Sequence, residues 1–468
     1  MRSLEKDWVQ DKIGNLPISL IDGDRSKKYP KRSEFQEEGI AFLNAKSISG
    51  GRFDTSKVNY ISYEKYEEIT KGRLQKNDLI LTMRGNGVGD VALLSDKLSA
   101  GLINAQMLIL RPDNGKINPA FLYYGFINPR FKSELANYVS GSAQPQLTIT
   151  HLRHVPLTFP PLSEQKAIAH MLGTLDDRIE LNRRMNETLE SMAQALFKSW
   201  FLDFDPVIDN ALAGGKEIPA ELSEKAQARA ALGDKRRPLP EEIRTLFSDE
   251  FTYSDELGWI PKGWEVKTIN DEIDTVGGGT PSTKDSSFWK GGVHAFCTPK
   301  DMSNMTSKIL THTDRLLTDK GVSKISSGQL PKNTVLMSSR APIGYLAISD
   351  LPVSINQGII AMKSGGNYGG MFLLCWAHFN MDRVKERANG STFLEISKKN
   401  FRLIPIIVPK TELLKFFNEM AQPVLSRLIS CTRNSTQLTN LRDTLLPKLL
   451  SGELRIPDAE KMVEELAL

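Results

Sequence analysis

The chain matches itself. Gly141-Ser142 lies over Gly390-Ser391, and from there an offset of 249 residues continues without gaps. Val155-Pro156 meets Ile404-Pro405, Pro160 meets Pro409, Leu175 meets Val424, Ile179 meets Leu428, Leu189 meets Leu438 and Leu196 meets Leu445. Earlier blocks match with small insertions. Ile103-Asn104 lies over Ile355-Asn356, and Asp78-Leu-Ile-Leu-Thr-Met-Arg84 parallels Asn333-Thr-Val-Leu-Met-Ser-Ser-Arg340. Lys46 and Lys300 hold similar places after Ala41-Phe42 and Ala295-Phe296. A chain built this way must make one fold twice.

The repeat divides the chain into module, helix, linker, module, helix. The boundaries read as a first module over 1–160, central spacer helices over 161–202 and a linker over 203–258. A second module follows over 259–409, then C-terminal spacer helices and tail over 410–468. Each module is of ordinary single-domain size. Within them, short β-type runs such as Leu79-Ile-Leu-Thr82 and Thr334-Val-Leu-Met337 alternate with glycine-rich turns such as Gly85–Gly89 and Gly277-Gly-Gly279. Helical stretches over Phe121–Asn128 and Met371–Phe379 come later. The fold class is α+β: two pseudo-repeated α+β modules, separated by two long helices packed as an antiparallel coiled coil. The glycine clusters lack the spacing of a phosphate loop and read as turns.

The helices carry a narrow apolar seam. In the first, Ile168, Leu172, Leu175, Ile179, Met185, Leu189, Met192 and Leu196 recur mostly at three and four. Phe417, Val424, Leu438 and Leu445 repeat the pattern, with Asn182 and Cys431 at equivalent seam positions. A polar seam residue such as Asn182 fixes register at a cost in stability. Gly173-Thr174 before Leu175-Asp-Asp177 predicts a break and a fresh N-terminus, where the two acids suit the helix dipole. Pro423 predicts the same break in the second copy. The expected segments are therefore about 163–172 and 174–202, then about 411–421 and 423–450, with Pro447 ending or kinking the last turn.

Charge is informative only by region. The whole chain is +4. Residues 1–160 are +5 and 251–409 are +4, while 161–250 are −5 and 410–468 are neutral. Two basic modules joined by acidic or neutral connectors suit a polyanion. Phosphates call for Lys and Arg, and base edges call for Arg, Asn, Gln or Ser on loops. The candidates for DNA contact are Lys28, Lys46, Arg84, Asn86 and Gln144 in the first module and Lys300 and Arg340 in the second. Arg84 and Arg340 lead, because both follow a strand-like run at equivalent positions.

Catalytic equipment is sparse. The six histidines form no metal-ligand spacing, and His151 and His154 read as surface or phosphate-contacting groups. The three cysteines, Cys297, Cys375 and Cys431, are far apart and odd in number, which argues against a disulfide framework. No nucleophile-elbow motif and no amino-methyltransferase motif occur. Asp203-Phe-Asp-Pro206 reads as a helix stop. No apolar run of membrane-spanning length and no signal-peptide core occur, so a cytoplasmic protein is expected.

Several stretches carry a family resemblance: Pro160-Pro-Leu-Ser-Glu-Gln-Lys-Ala-Ile-Ala169, Leu175-Asp-Asp-Arg-Ile-Glu-Leu-Asn182, Ala195-Leu-Phe-Lys-Ser-Trp-Phe201, Leu257-Gly-Trp-Ile-Pro-Lys-Gly-Trp-Glu265 and Leu445-Leu-Pro-Lys-Leu-Leu-Ser-Gly-Glu-Leu-Arg-Ile456. Together they resemble the specificity subunit of type I restriction–modification systems. The second helix departs from that pattern at its start, with Val408-Pro-Lys-Thr-Glu-Leu413. The resemblance implies two target recognition domains, each reading half of a split, asymmetric site in double-stranded DNA. It implies helices that space them and dock two methyltransferase subunits, with restriction/translocase subunits in the full complex. It implies no catalytic residues and no metal on this chain; S-adenosylmethionine, ATP and Mg are expected on the partner subunits. The competing reading is a coiled-coil interaction protein whose modules bind something other than DNA.

Overall fold

The computed structural model describes residues 8–94, 100–141, 144–235, 239–340, 342–390 and 394–465. Ser142 and Ser391 of the repeat, and Arg236–Pro238 of the linker, lie outside them. The chain forms two compact units, one from residues 1–179 with 437–468 and one from 180–436.

The first unit holds a four-stranded antiparallel sheet in the order Ile18–Asp22, Met107–Pro112, Leu79–Thr82, Val91–Leu93. A three-stranded sheet runs Asn59–Ile61, Ile40–Leu43, Gly101–Ile103, and its last pair is parallel. Val9–Lys12 pairs with Pro156–Phe159. The period of two decides which side chain faces which layer. Leu79, Leu81, Leu108 and Leu110 pack toward the helix Pro119–Ile127, with Leu122 and Phe126. Ile80, Ala92, Met107 and Ile109 pack on the other face with Leu43, Ile48 and Ile103. Both faces are covered, so the strands are continuously apolar rather than alternating.

The second unit repeats the plan. Its larger sheet runs Thr275–Gly277, Ile359–Met362, Val335–Ser338, Leu346–Ser349, with Ile309–Leu310 added in parallel at the edge. Its smaller sheet runs Arg315–Leu317, His294–Cys297, Val353–Ile355, and again one pair is parallel. Glu265–Thr268 pairs with Pro405–Val408. The same partition of faces recurs: Val335, Met337, Ile348, Ile360 and Met362 join one core, and Leu336, Ala347, Ile359 and Ala361 another. The α+β class with mixed sheets is therefore what the sequence led one to expect.

The linker is built, not extended. Helices span Asp205–Gly214, Ser223–Ala231 and Glu241–Arg244, and a hairpin pairs Phe251–Ser254 with Gly258–Pro261. Phe204, Val207, Phe247 and Ile260 enter the core of the second unit. Phe204 has φ 58°, and the helix behind it opens with Asp205-Pro206. The acid–aromatic–acid–proline stretch thus turns the chain between two helices.

Two helices of 40 residues, Leu162–Phe201 (the central helix) and Thr411–Leu450 (the distal helix), correct the expectation of a break in each. Gly173 and Pro423 both lie inside continuous helix. Thr174 does not cap; its hydroxyl donates to the His170 carbonyl at 2.9 Å. Asp176 and Asp177 are mid-helix residues, not a dipole-facing first turn. Pro447 does not end the distal helix, which runs to Leu450. Buried residues on both sides of each breaker explain this: Leu172 and Leu175, then Ala421 and Leu425. Tertiary burial outweighs the local cost of one glycine or an exposed proline.

The two helices pack antiparallel in both units. In the first unit, Ile168, Leu172 and Leu175 share a core with Leu438, Leu441, Leu445 and Leu449. The Arg442 guanidinium sits 2.7 Å from Asp176, which also accepts from the Tyr124 hydroxyl at 2.8 Å. In the second unit, Met185 meets Cys431, Asn186 donates to the Thr432 hydroxyl at 3.0 Å, and Phe197 contacts Phe417. Rising numbers on one helix meet falling numbers on the other. Two seam assignments change. Met192 is 58% exposed and Ala193 takes its place, and the buried polar residue is Asn186, not the half-buried Asn182.

Candidate nucleic-acid interface

In each unit the loops at one edge of the paired sheets are tied together by backbone hydrogen bonds. In the first unit the strand Ile40–Leu43 ends at Leu43, whose carbonyl accepts from Asn104 N at 2.9 Å. The Asn104 side chain accepts from Gln106 N at 3.0 Å, which makes a tight turn. The Gln106 carbonyl accepts from Met83 N at 2.8 Å, and the Met83 carbonyl from Leu147 N at 2.9 Å. Arg84 therefore leaves its strand directly beside Gln106 and pairs across to Gln146 in an isolated bridge. Gly85 N donates to the Pro145 carbonyl at 3.0 Å, which places the Asn86 turn next to Gln144. Asn86 and Gln144 are exposed, and Arg84 is half-buried.

Lys46 is exposed on a short turn, Ala45–Ser47, capped by Asn44 three residues beyond the sheet. Lys28 is exposed on the loop after the strand Ile18–Asp22. That loop is anchored to the same turn. The Arg25 guanidinium donates to the Ala105 carbonyl at 3.3 Å, and Gly23 lies so close that an added Cβ would fall 2.4 Å from the Asn104 carbonyl oxygen. Only glycine fits there without moving backbone. The five candidates of the first module thus sit on loops of one network.

The second unit reproduces the network. The Cys297 carbonyl accepts from Asn356 N at 3.0 Å, and the Asn356 side chain from Gly358 N at 2.6 Å. Ser339 N donates to the Gly358 carbonyl at 2.8 Å, and Ile396 N to the Ser339 carbonyl at 3.0 Å. Gly278 repeats the close approach of Gly23, now to the Ile355 and Asn356 carbonyls. Arg340 and Lys300 are brought together here. A Cβ on Gly358 would meet Asn356 Oδ1, the Arg340 Nε and Pro299 Cγ at 3.0–3.2 Å, and Pro299 opens the helix that carries exposed Lys300.

The two sets differ in one respect that a search for cations misses. Arg84 faces the neutral Gln146, whereas Arg340 faces Glu395, with Nη1 3.7 Å from the carboxylate. The bridges Ser140–Gln146 and Asn389–Glu395 show that Gln146 and Glu395 are equivalent. Other cations have local partners: Arg25 pairs with Asp22 at 3.1 Å, Arg111 with buried Asp78 at 2.7 Å, and the Arg315 guanidinium lies 3.5 Å from the Trp289 ring centre. His151 and His154 are exposed, each bonded to a backbone carbonyl of its own neighbourhood.

Burial pushes the Cys297 thiol far up and the Cys375 thiol up to about 12, so neither is a ready nucleophile. Among the described residues no group of three or more His, Cys, Asp or Glu could hold a metal ion. No described helix is long and apolar enough to cross a membrane.

Both units thus carry cationic and amide side chains on matching loops of one doubled α+β module, and two long helices pack antiparallel within each unit. The sequence family described as the type I restriction modification DNA specificity domain matches residues 5–191 and 261–440, so the chain belongs to the type I restriction–modification specificity subunits. The chain is 27% identical to the type I restriction enzyme HindI specificity subunit of Haemophilus influenzae, over 92% of this chain and 98% of that one. It is 26% identical to the MjaIX specificity subunit of Methanocaldococcus jannaschii, over 97% and 95%. The crystal structure of an S subunit from M. genitalium shares the fold, with a TM-score of 0.56, 16% identity, and coverage of 96% and 98%.

Proposed function

We propose that this chain is the DNA-reading subunit of a type I restriction–modification complex and catalyses nothing itself. Each module reads one half of a bipartite, asymmetric site in double-stranded DNA. The helical pair fixes the gap and docks two methyltransferase subunits, directing adenine methylation and, with restriction/translocase subunits, cleavage. S-adenosylmethionine, ATP and Mg belong to those partners, and the assembly works in the cytoplasm. In functional terms the modules are residues 1–160 and 259–409, the spacers 161–202 and 410–468, and the connector 203–258.

The observation that carries this reading is the duplicated loop network with unlike contents. Arg84 and Arg340 occupy equivalent strand ends beside equivalent asparagine turns, but their neighbours differ. A shared scaffold with different loop chemistry is what two unlike half-sites require. Phosphate contacts from Lys28, Lys46 and Lys300 would give affinity, while Arg84, Asn86, Gln144 and Arg340 would discriminate bases.

The test is selection of bound duplexes from a random pool, with and without a cognate methyltransferase subunit. A split site with two unlike halves and a constant gap is expected. No enrichment in either condition would sink the reading and favour an interaction protein whose modules bind other partners.

A further inference from the structure

We infer that Glu395 is a specificity-determining residue of the second module, acting with Arg340 where the first module uses Gln146 with Arg84. The inference rests on the DNA reading above and deepens it. Three observations carry it. Gln146 and Glu395 are placed by the same backbone bonds: each pairs across to the strand-end arginine and back to residue 140 or 389. Leu147 N and Ile396 N, the next residues, donate to Met83 and Ser339, which fixes both in register. The surrounding positions also differ: exposed Gln106 stands where Gly358 stands, and the Arg340 side chain runs over the bare Gly358 Cα beside Asn356.

A carboxylate is an unusual choice on a surface that approaches phosphates, because it is repelled by them. Stability does not explain it. Both side chains are substantially exposed, Arg340 at 37% and Glu395 at 49%, and an exposed pair at 3.7 Å contributes little. Recognition chemistry does explain it. Arginine addresses the O6 and N7 of guanine, a carboxylate accepts only from a donor such as cytosine N4, and an amide pairs with adenine N6 and N7. Glu395 therefore sets its carboxylate beside one edge of the Arg340 guanidinium, 3.7 Å from Nη1, and leaves the other edge for a guanine. It also rejects any base that would offer only acceptors to the carboxylate. Gln146 imposes neither constraint, because its amide both donates and accepts.

The experiment repeats the pool selection with the full chain and its cognate methyltransferase subunit, comparing the unaltered protein with Glu395→Gln and Gln146→Glu. Glu395→Gln should relax discrimination at one position of one half-site by about tenfold, the effect of losing one base-edge contact. The other half and the gap should stay unchanged. Gln146→Glu should alter the opposite half. An unaltered consensus for Glu395→Gln overturns the inference while leaving the DNA reading intact. If circular dichroism shows that Glu395→Gln does not fold, Gln146→Glu decides, and an unchanged half-site there overturns it. Failure of the unaltered protein to enrich any site removes the DNA reading itself.

Discussion

At the scale of single residues, two groups in the helical pair give testable energetics. Arg442 bridges Asp176 and Asp443, and Asp176 also takes the Tyr124 hydroxyl. Arg442→Ala strands a mostly buried carboxylate with one partner, so it should cost about 2 kcal/mol, the range for hydrogen bonds to charged groups. Urea unfolding of the full chain measures this, and a loss under about 0.5 kcal/mol would contradict it. Glu190 behaves oppositely. Burial raises its pKa, although its carboxylate accepts from Lys308 N at 3.1 Å. A carboxyl with a raised folded pKa binds more protons folded than unfolded, so stability falls as pH rises from the unfolded value through the folded one. Glu190→Gln should therefore raise Tm at pH 7, and the gain should vanish below about pH 4, where both states are protonated. Thermal melts at the two pH values decide it; an equal gain at both would remove the titration argument.

At the scale of elements, the repeat and the strand runs were readable because they depend on pattern, and pattern survives in one sequence. The continuity of the helices was not readable. Gly173 and Pro423 are strong local signals, but they say nothing of the leucines that bury the helix on either side. The register of the polar seam residue was also out of reach. Asn182 and Asn186 differ by one helical turn, and only packing selects Asn186, whose amide finds Thr432. Glu395 was not singled out for a different reason: on the DNA reading proposed above, an acid among the cations is legible only once its arginine is seen beside it. If Gly173 is an ordinary mid-helix position, Gly173→Ala should stabilise the chain by about 0.5–1 kcal/mol, the helix preference of alanine over glycine. Its Cβ would meet only the Tyr124 hydroxyl, at 3.9 Å. Destabilisation in a urea titration would show that the position is not an ordinary mid-helix one.

At the scale of the molecule, the proposed function makes the helical pair a ruler. Four residues added to each helix add about 6 Å of rise and turn the helix by about 40°. On the reading above the preferred gap should grow by about two base pairs, since duplex steps are about 3.4 Å. Pool selection with the lengthened chain reports this directly; an unchanged gap would mean that something other than the helices sets the spacing.

The first unit is finished by the far end of the chain. Leu438, Leu441, Leu445, Leu449 and Ala459 close the apolar layer over Phe121, Ile168 and Leu172. During synthesis the first module leaves the ribosome early, and more than two hundred residues must follow before its cover arrives. The second unit, whose residues are contiguous, is complete sooner. A chain stopped near residue 436 would thus hold a finished second unit and a first unit with one apolar layer open to water. The cell's chaperones and proteases recognise that kind of surface, so a nonsense change late in the gene should act as a clearance signal rather than as a shortened but working subunit.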